Sequence, residues 1–93
     1  MTTIHIPAML RHLAGNQEQI SISLPPGETR TVREVLQMLE PRFPGLHGAL
    51  EVDGDVAVSV AVFIDEEQAD LGLDAKISDS NSLIFAPPIV GGA

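Results

Sequence analysis

The side chains capable of chemistry are few in this sequence, and their spacing suits none of the common sites. His5, His12 and His47 show neither His-x-x-x-His nor facial-triad spacing, so they do not suggest a metal site. Glu51, Asp53 and Asp55 faintly resemble a calcium loop, but Gly54 falls between the acids and no glutamate closes the loop. They read more simply as a solvated acidic loop. No Ser-His-Asp arrangement can be argued, and no glycine-rich phosphate loop exists, because Gly91-Gly92 precedes no helix. Cysteine is absent, which excludes disulfides, thiolate ligands and a catalytic thiol. What remains is the C-terminal run Pro87-Pro88-Ile89-Val90-Gly91-Gly92-Ala93, small and uncharged at its end and biased toward an extended form by its prolines. On its own such a tail reads equally as a frayed terminus.

Ninety-three residues make one domain, with a core that buries about 60–65% of the unfolded surface and leaves no room for a large substrate cavity. The three aromatics are all Phe, so the core must be aliphatic. Thirteen acids against five Lys and Arg give a formal net charge of −8. Such a surface repels phosphate backbones and anionic headgroups, which argues against nucleic acid and membrane partners and for a basic patch on another protein. The start of the chain lacks a basic, long-apolar signal segment, and no run is long enough to span a bilayer. The expectation is a cytoplasmic protein, monomeric when alone.

The elements that must carry the tail can be placed by periodicity. Residues 3–7 and 19–24 alternate as strands around Gly15-Asn16, with Met9, Leu10 and Leu13 expected in a buried, partly helical connection. Thr31 and Glu34 form a capping box, and Val32, Val35, Leu36 and Leu39 then follow at i, i+3, i+4 and i+7. Pro41 ends that helix. Phe43-Pro44-Gly45-Leu46 reads as a turn tucking Phe43 and Leu46 under the helix. Residues 56–64 read as one buried strand whose register is open, since Val58-Val60-Val62 and Ala57-Ala61-Phe63 both make plausible inward faces. Asp65-Glu66-Glu67 reads as a charged turn, Leu71, Leu73 and Ile77 as an irregular crossing, and residues 82–86 as the last strand. This order predicts an α+β fold: a β-grasp with a mixed sheet, one main helix across one face, and the last strand beside the first. Residues 1–86 form the domain and residues 87–93 a flexible tail.

The tail, in this context, resembles that of the ubiquitin-like sulfur carriers, which include the molybdopterin synthase small subunit and the carriers of thiamine and cysteine biosynthesis. The matching pattern is a polar turn (Asp79-Ser80-Asn81-Ser82-Leu83), an apolar strand (Ile84-Phe85-Ala86), two prolines (Pro87-Pro88), two apolar residues (Ile89-Val90) and Gly91-Gly92. Ile6-Pro7-Ala8-Met9-Leu10-Arg11, Gly15, Phe43-Pro44-Gly45-Leu46 and Asp65-Glu66-Glu67 are similar in order to the amino-acid-biosynthesis branch. The chain departs by continuing to Ala93, by Ser80 where glycine is usual, and by Ala86 where the molybdopterin branch often has an aromatic.

The resemblance implies a protein co-substrate and not an enzyme. Gly92 would be adenylated by a separate ATP-using enzyme and converted to a thiocarboxylate, once a metalloprotease had removed Ala93. The sulfur would pass to a synthase making cysteine, homocysteine or a related metabolite. Pro87, Pro88, Ile89, Val90 and Gly91 would insert into the partner's channel, with glycine adopting angles other residues resist. Phe85 near the tail root, and Asp65, Glu66 and Glu67 as steering charges, are the candidate docking residues, although Phe85 taken alone reads more simply as core. No metal or permanently bound cofactor is expected; ATP belongs to the adenylating partner. The rival readings are a molybdopterin synthase small subunit, a modifier joined to target lysines through Gly92, and a non-catalytic interaction module with an inert tail.

Overall fold

The fold was analysed in a computed structural model that describes residues 1–57 and 60–87. In chain order the elements are β1 (Thr2–His5), a 3-10 helix (Ala8–Ala14), β2 (Gln19–Ile22), β3 (Thr29–Thr31), α1 (Val32–Leu39) and α2 (Pro44–Leu50). There follow β4 (Glu51–Val52), β5 (Asp55–Val56), β6 (Ala61–Ile64), β7 (Glu67–Gln68), a 3-10 turn (Gly72–Asp74), β8 (Lys76–Ser78) and β9 (Ser82–Ala86). Five strands make a mixed sheet in the order β2-β1-β9-β6-β7, and β3-β8 and β4-β5 are separate two-stranded ribbons. β9 runs parallel to β1 and antiparallel to β6, so the last strand does lie beside the first at the centre of the sheet.

Helix α1 forms for the reasons legible in its sequence. The Thr31 hydroxyl accepts from the Glu34 amide at 3.1 Å, and the Glu34 carboxylate accepts from the Thr31 amide at 2.9 Å. Val32, Val35, Leu36 and Leu39 are all buried in a core shared with Ile4, Ile20, Ile22, Val62, Leu83 and Phe85 of the sheet. Each such side chain contributes about 1.5–3 kcal/mol on leaving water. Gly15 and Asn16 both take positive φ, 64° and 62°, to turn the chain from the 3-10 helix into β2.

Four expectations need correction. The run over residues 56–64 is not one strand: β5 ends at Val56, the Val60 amide bonds the Ala57 carbonyl at 3.0 Å, and β6 starts only at Ala61. A continuous apolar run has no periodicity to mark such a break. The Phe43-Pro44-Gly45-Leu46 turn is instead the start of α2, with Pro44 at its first position and Leu46 and Leu50 buried. The crossing around Leu71 is partly regular, because β8 pairs with β3, and Leu71 is 71% exposed while Leu73 and Ile77 are core. Met9, expected to be buried, is 45% exposed. The acidic loop of Glu51, Asp53 and Asp55 is a hairpin: Asp53 and Gly54 form the two-residue connection of β4 and β5, both at positive φ as a type I′ turn requires.

Candidate functional site

β9 fixes the point from which the tail leaves. It is held on both sides, by Ile4↔Leu83 and His5↔Ile84 on β1 and by Ala61↔Ala86 and Val62↔Phe85 on β6. Pro87, which has no amide hydrogen to offer a ladder, follows directly and is exposed. Pro88, Ile89, Val90, Gly91, Gly92 and Ala93 lie outside the described residues.

Phe85, open between a docking role and a simple core position, is 1% exposed and belongs to the core. The alternation of β9 decides this: Leu83 and Phe85 face α1, while Ser82, Ile84 and Ala86 face the other way. On that outer face, cross-strand register lines up Gln19, His5, Ile84, Phe63 and Gln68 in one row across all five strands. His5, Ile84 and Phe63 are half-buried, and Ala61 and Ala86 form the next pair toward the tail root. The outer face thus carries a central apolar strip, unnoticed in the sequence because residues 56–64 gave no register.

A shallow groove at the other end of this strip is lined by His5, Ile64, Asp65, Glu66, Glu67, Ser82 and Ile84. The acidic turn therefore lies beside the start of β9, about 13 Å of strand from the tail root at Ala86. The three acids are not equivalent. Asp65 sits at φ 57°, its carboxylate accepts from the Asn81 amide group at 2.8 Å and from the Ser82 amide at 3.0 Å, and its own amide bonds the Ser82 carbonyl. It ties the β6–β7 turn to the entry of β9. Glu66 and Glu67 are exposed and make no side-chain bond among those found in the described residues.

Among the described residues no group of three His, Cys, Asp or Glu is arranged to hold a metal ion. His47 is nevertheless placed between two carboxylates, Glu40 and Glu51, a cluster that the sequence signalled only through the i, i+4 spacing of His47 and Glu51. No helix among the described residues is long and apolar enough to cross a membrane.

A five-stranded mixed sheet with a helix across it and a central C-terminal strand defines a β-grasp, ubiquitin-like protein. The sequence matches the ThiS family over residues 4–92, and the chain belongs to that family of ubiquitin-like sulfur carriers. Among solved structures, CysO of Mycobacterium tuberculosis, described as an antigen, is 26% identical, with TM-score 0.80 and coverage of 96% of this chain and 100% of that one. The Haloferax volcanii HVO 2177 protein is 28% identical, with TM-score 0.73 and coverage of 98% and 85%. The fold is also that of the Amycolatopsis orientalis BexX/CysO complex, at 24% identity, TM-score 0.81 and coverage of 99% and 100%. No curated protein matches the sequence.

Proposed function

We propose that this chain carries sulfur as a thiocarboxylate on Gly92, formed after Ala93 is removed, for the synthesis of cysteine, homocysteine or a related sulfur metabolite. The observation that supports this reading most is that the family match runs to residue 92, taking in Gly91 and Gly92 and stopping short of Ala93. The likeness to CysO at 26% identity supports the amino-acid branch.

A free carboxylate is a poor electrophile. An adenylating partner would join the Gly92 carboxylate to the α-phosphorus of ATP, releasing pyrophosphate. A sulfur donor would then attack the acyl carbon and expel AMP, leaving sulfur on the carbonyl in place of oxygen. The chain supplies no acid, base or metal to either step. Its contribution is a rigid platform, β9, and a tail whose last residues have no bulk. The partner would grip the outer face through Ile84 and Phe63, in the role expected of Phe85, while Glu66 and Glu67 steer its approach.

The test is the intact mass of the protein isolated from its own cells. The reading expects a chain ending at Gly92, with a fraction showing one oxygen exchanged for sulfur. A population consisting wholly of unmodified chains that retain Ala93 would overturn it.

A further inference from the structure

His47 lies on α2 with its ring between two carboxylates. Nδ1 is 3.1 Å from an oxygen of Glu40, the residue that caps the end of α1, and Nε2 is 3.0 Å from an oxygen of Glu51, the first residue of β4. Both carboxylates accept, so both ring nitrogens must donate, which only the imidazolium can do. A neutral ring would leave a lone pair facing a carboxylate. His47 and Glu51 are shielded, 18% and 19% exposed at the side chain, so solvent replaces the bond between them poorly.

Other charges around the cluster are accounted for. Arg33 of α1 approaches Glu51 from the far side at 3.3 Å and reaches Asp74 of the second 3-10 turn at 3.4 Å. The chain of charges thus alternates in sign through Glu40, His47, Glu51, Arg33 and Asp74. Arg42, between the helices, lies over the Phe43 ring, and Arg11 of the 3-10 helix packed on α2 pairs with Glu18. His12, on that same helix, is exposed.

We propose that protonated His47 is a pH-operated clasp joining the end of α1, α2 and the start of β4, and that its deprotonation loosens the α1–α2 corner. The bond to Glu51 raises the imidazole pKa above its ordinary 6.5, against the opposing effect of burial, and the bond to Glu40 adds to the rise. A raised pKa means stability that is fully present below 6.5 and is lost as pH rises through the folded value. Titration of the imidazole therefore opens the clasp as pH rises, and not as it falls.

The experiment is an NMR titration of the histidine ring protons in the full chain, with Glu40→Gln as the variant because Glu40 is exposed and its loss spares the core. The His47 midpoint is expected above 6.5 and should fall in E40Q, and amides of residues 47–50 should exchange faster above it. A midpoint at or below 6.5, or one that E40Q does not move, overturns the proposal. Thermal unfolding of wild type and His47→Gln gives an independent readout. Their Tm difference, a few degrees at pH ~6, should shrink by pH ~9. A difference constant across that range would mean simple packing and would also overturn the clasp. Should H47Q not fold, the E40Q titration decides.

Discussion

The side-chain Nδ2 of Asn81 donates to the carboxylate of Asp65 at 2.8 Å, bridging two turns sixteen residues apart. This bond, with the Ser82 amide on the other carboxylate oxygen, makes Asp65 a structural residue inside what the sequence presents as a uniform acidic triplet. Charge reversal of all three acids would therefore confuse folding with steering.

Separate variants resolve the two roles. Asp65→Ala loses both bonds and leaves an alanine at φ 57°, and should cost about 1 kcal/mol, moving Tm down by roughly 4–8 °C. The double variant E66K/E67K should leave Tm within a few degrees, because both side chains are exposed. It should instead slow association with the adenylating partner and weaken the dependence of that rate on salt. Unfolding midpoints and stopped-flow rates at two ionic strengths check both halves.

The two phenylalanines of the β6–β9 pair should separate in the same way. Phe85→Ala empties a fully buried site and should cost about 3–5 kcal/mol, enough to unfold much of so small a domain. Phe63→Ser and Ile84→Ser, on the outer face, should change Tm little and weaken partner binding by about tenfold or more, the signature of a contact worth over 1 kcal/mol. Calorimetric binding by variants of confirmed Tm is the measurement. Normal binding by both outer-face variants would remove that face from the docking surface.

Much of this was readable beforehand because the governing interactions are local. The Thr31–Glu34 box and the four-residue apolar stripe need only their own helix, and Gly15-Asn16 needs only its turn. The central position of β9 followed from the handedness of crossovers. What escaped notice depends on pairing and packing that no hydrophobic period marks. β3 is three residues long and exists because β8 pairs with it. β7 is two residues pairing with β6, so Glu67 ends a strand pair where the sequence shows only charge. The tight Asp53-Gly54 hairpin was hidden by the acids around it, which drew attention to cation binding. His47 acquires its two carboxylates only when α2 folds back on the end of α1.

Acid stability should report the helix cap. Two bonds from Thr31, first its amide and then its hydroxyl, hold the Glu34 carboxyl below its ordinary value of 4.5. The Leu24 amide and the N-terminal ammonium likewise lower Asp79. Both groups have depressed folded values, so their stabilisation is present above the unfolded values and is lost as pH falls through the folded ones. Thr31→Ala should cost about 0.5–2 kcal/mol at neutral pH. Its acid-unfolding curve should also be less steep than that of wild type between pH ~5 and ~3, because Glu34 then titrates nearer its free value. Parallel acid-unfolding curves for the two proteins would contradict this coupling.

The last prediction concerns Ala93. While that residue is attached, the Gly92 carbonyl is part of an amide, with no carboxylate to react with ATP. Adenylation of Ala93 itself would place a methyl group where the family presents glycine, on a tail one residue longer than the match to residue 92. Gly91 and Gly92 have no Cβ, so a channel shaped to them leaves no space for that methyl. The proposed function therefore expects a hydrolase acting on the Gly92–Ala93 bond, with a zinc metalloprotease the expected class because zinc supplies a hydroxide nucleophile at neutral pH. The check is to give the full-length chain and a chain ending at Gly92 to the adenylating partner, with ATP and a sulfur donor, and to weigh the products. Exchange of one oxygen for sulfur should occur only in the shorter chain. Equal exchange in both would remove the need for processing, and exchange in neither would count against the carrier role itself.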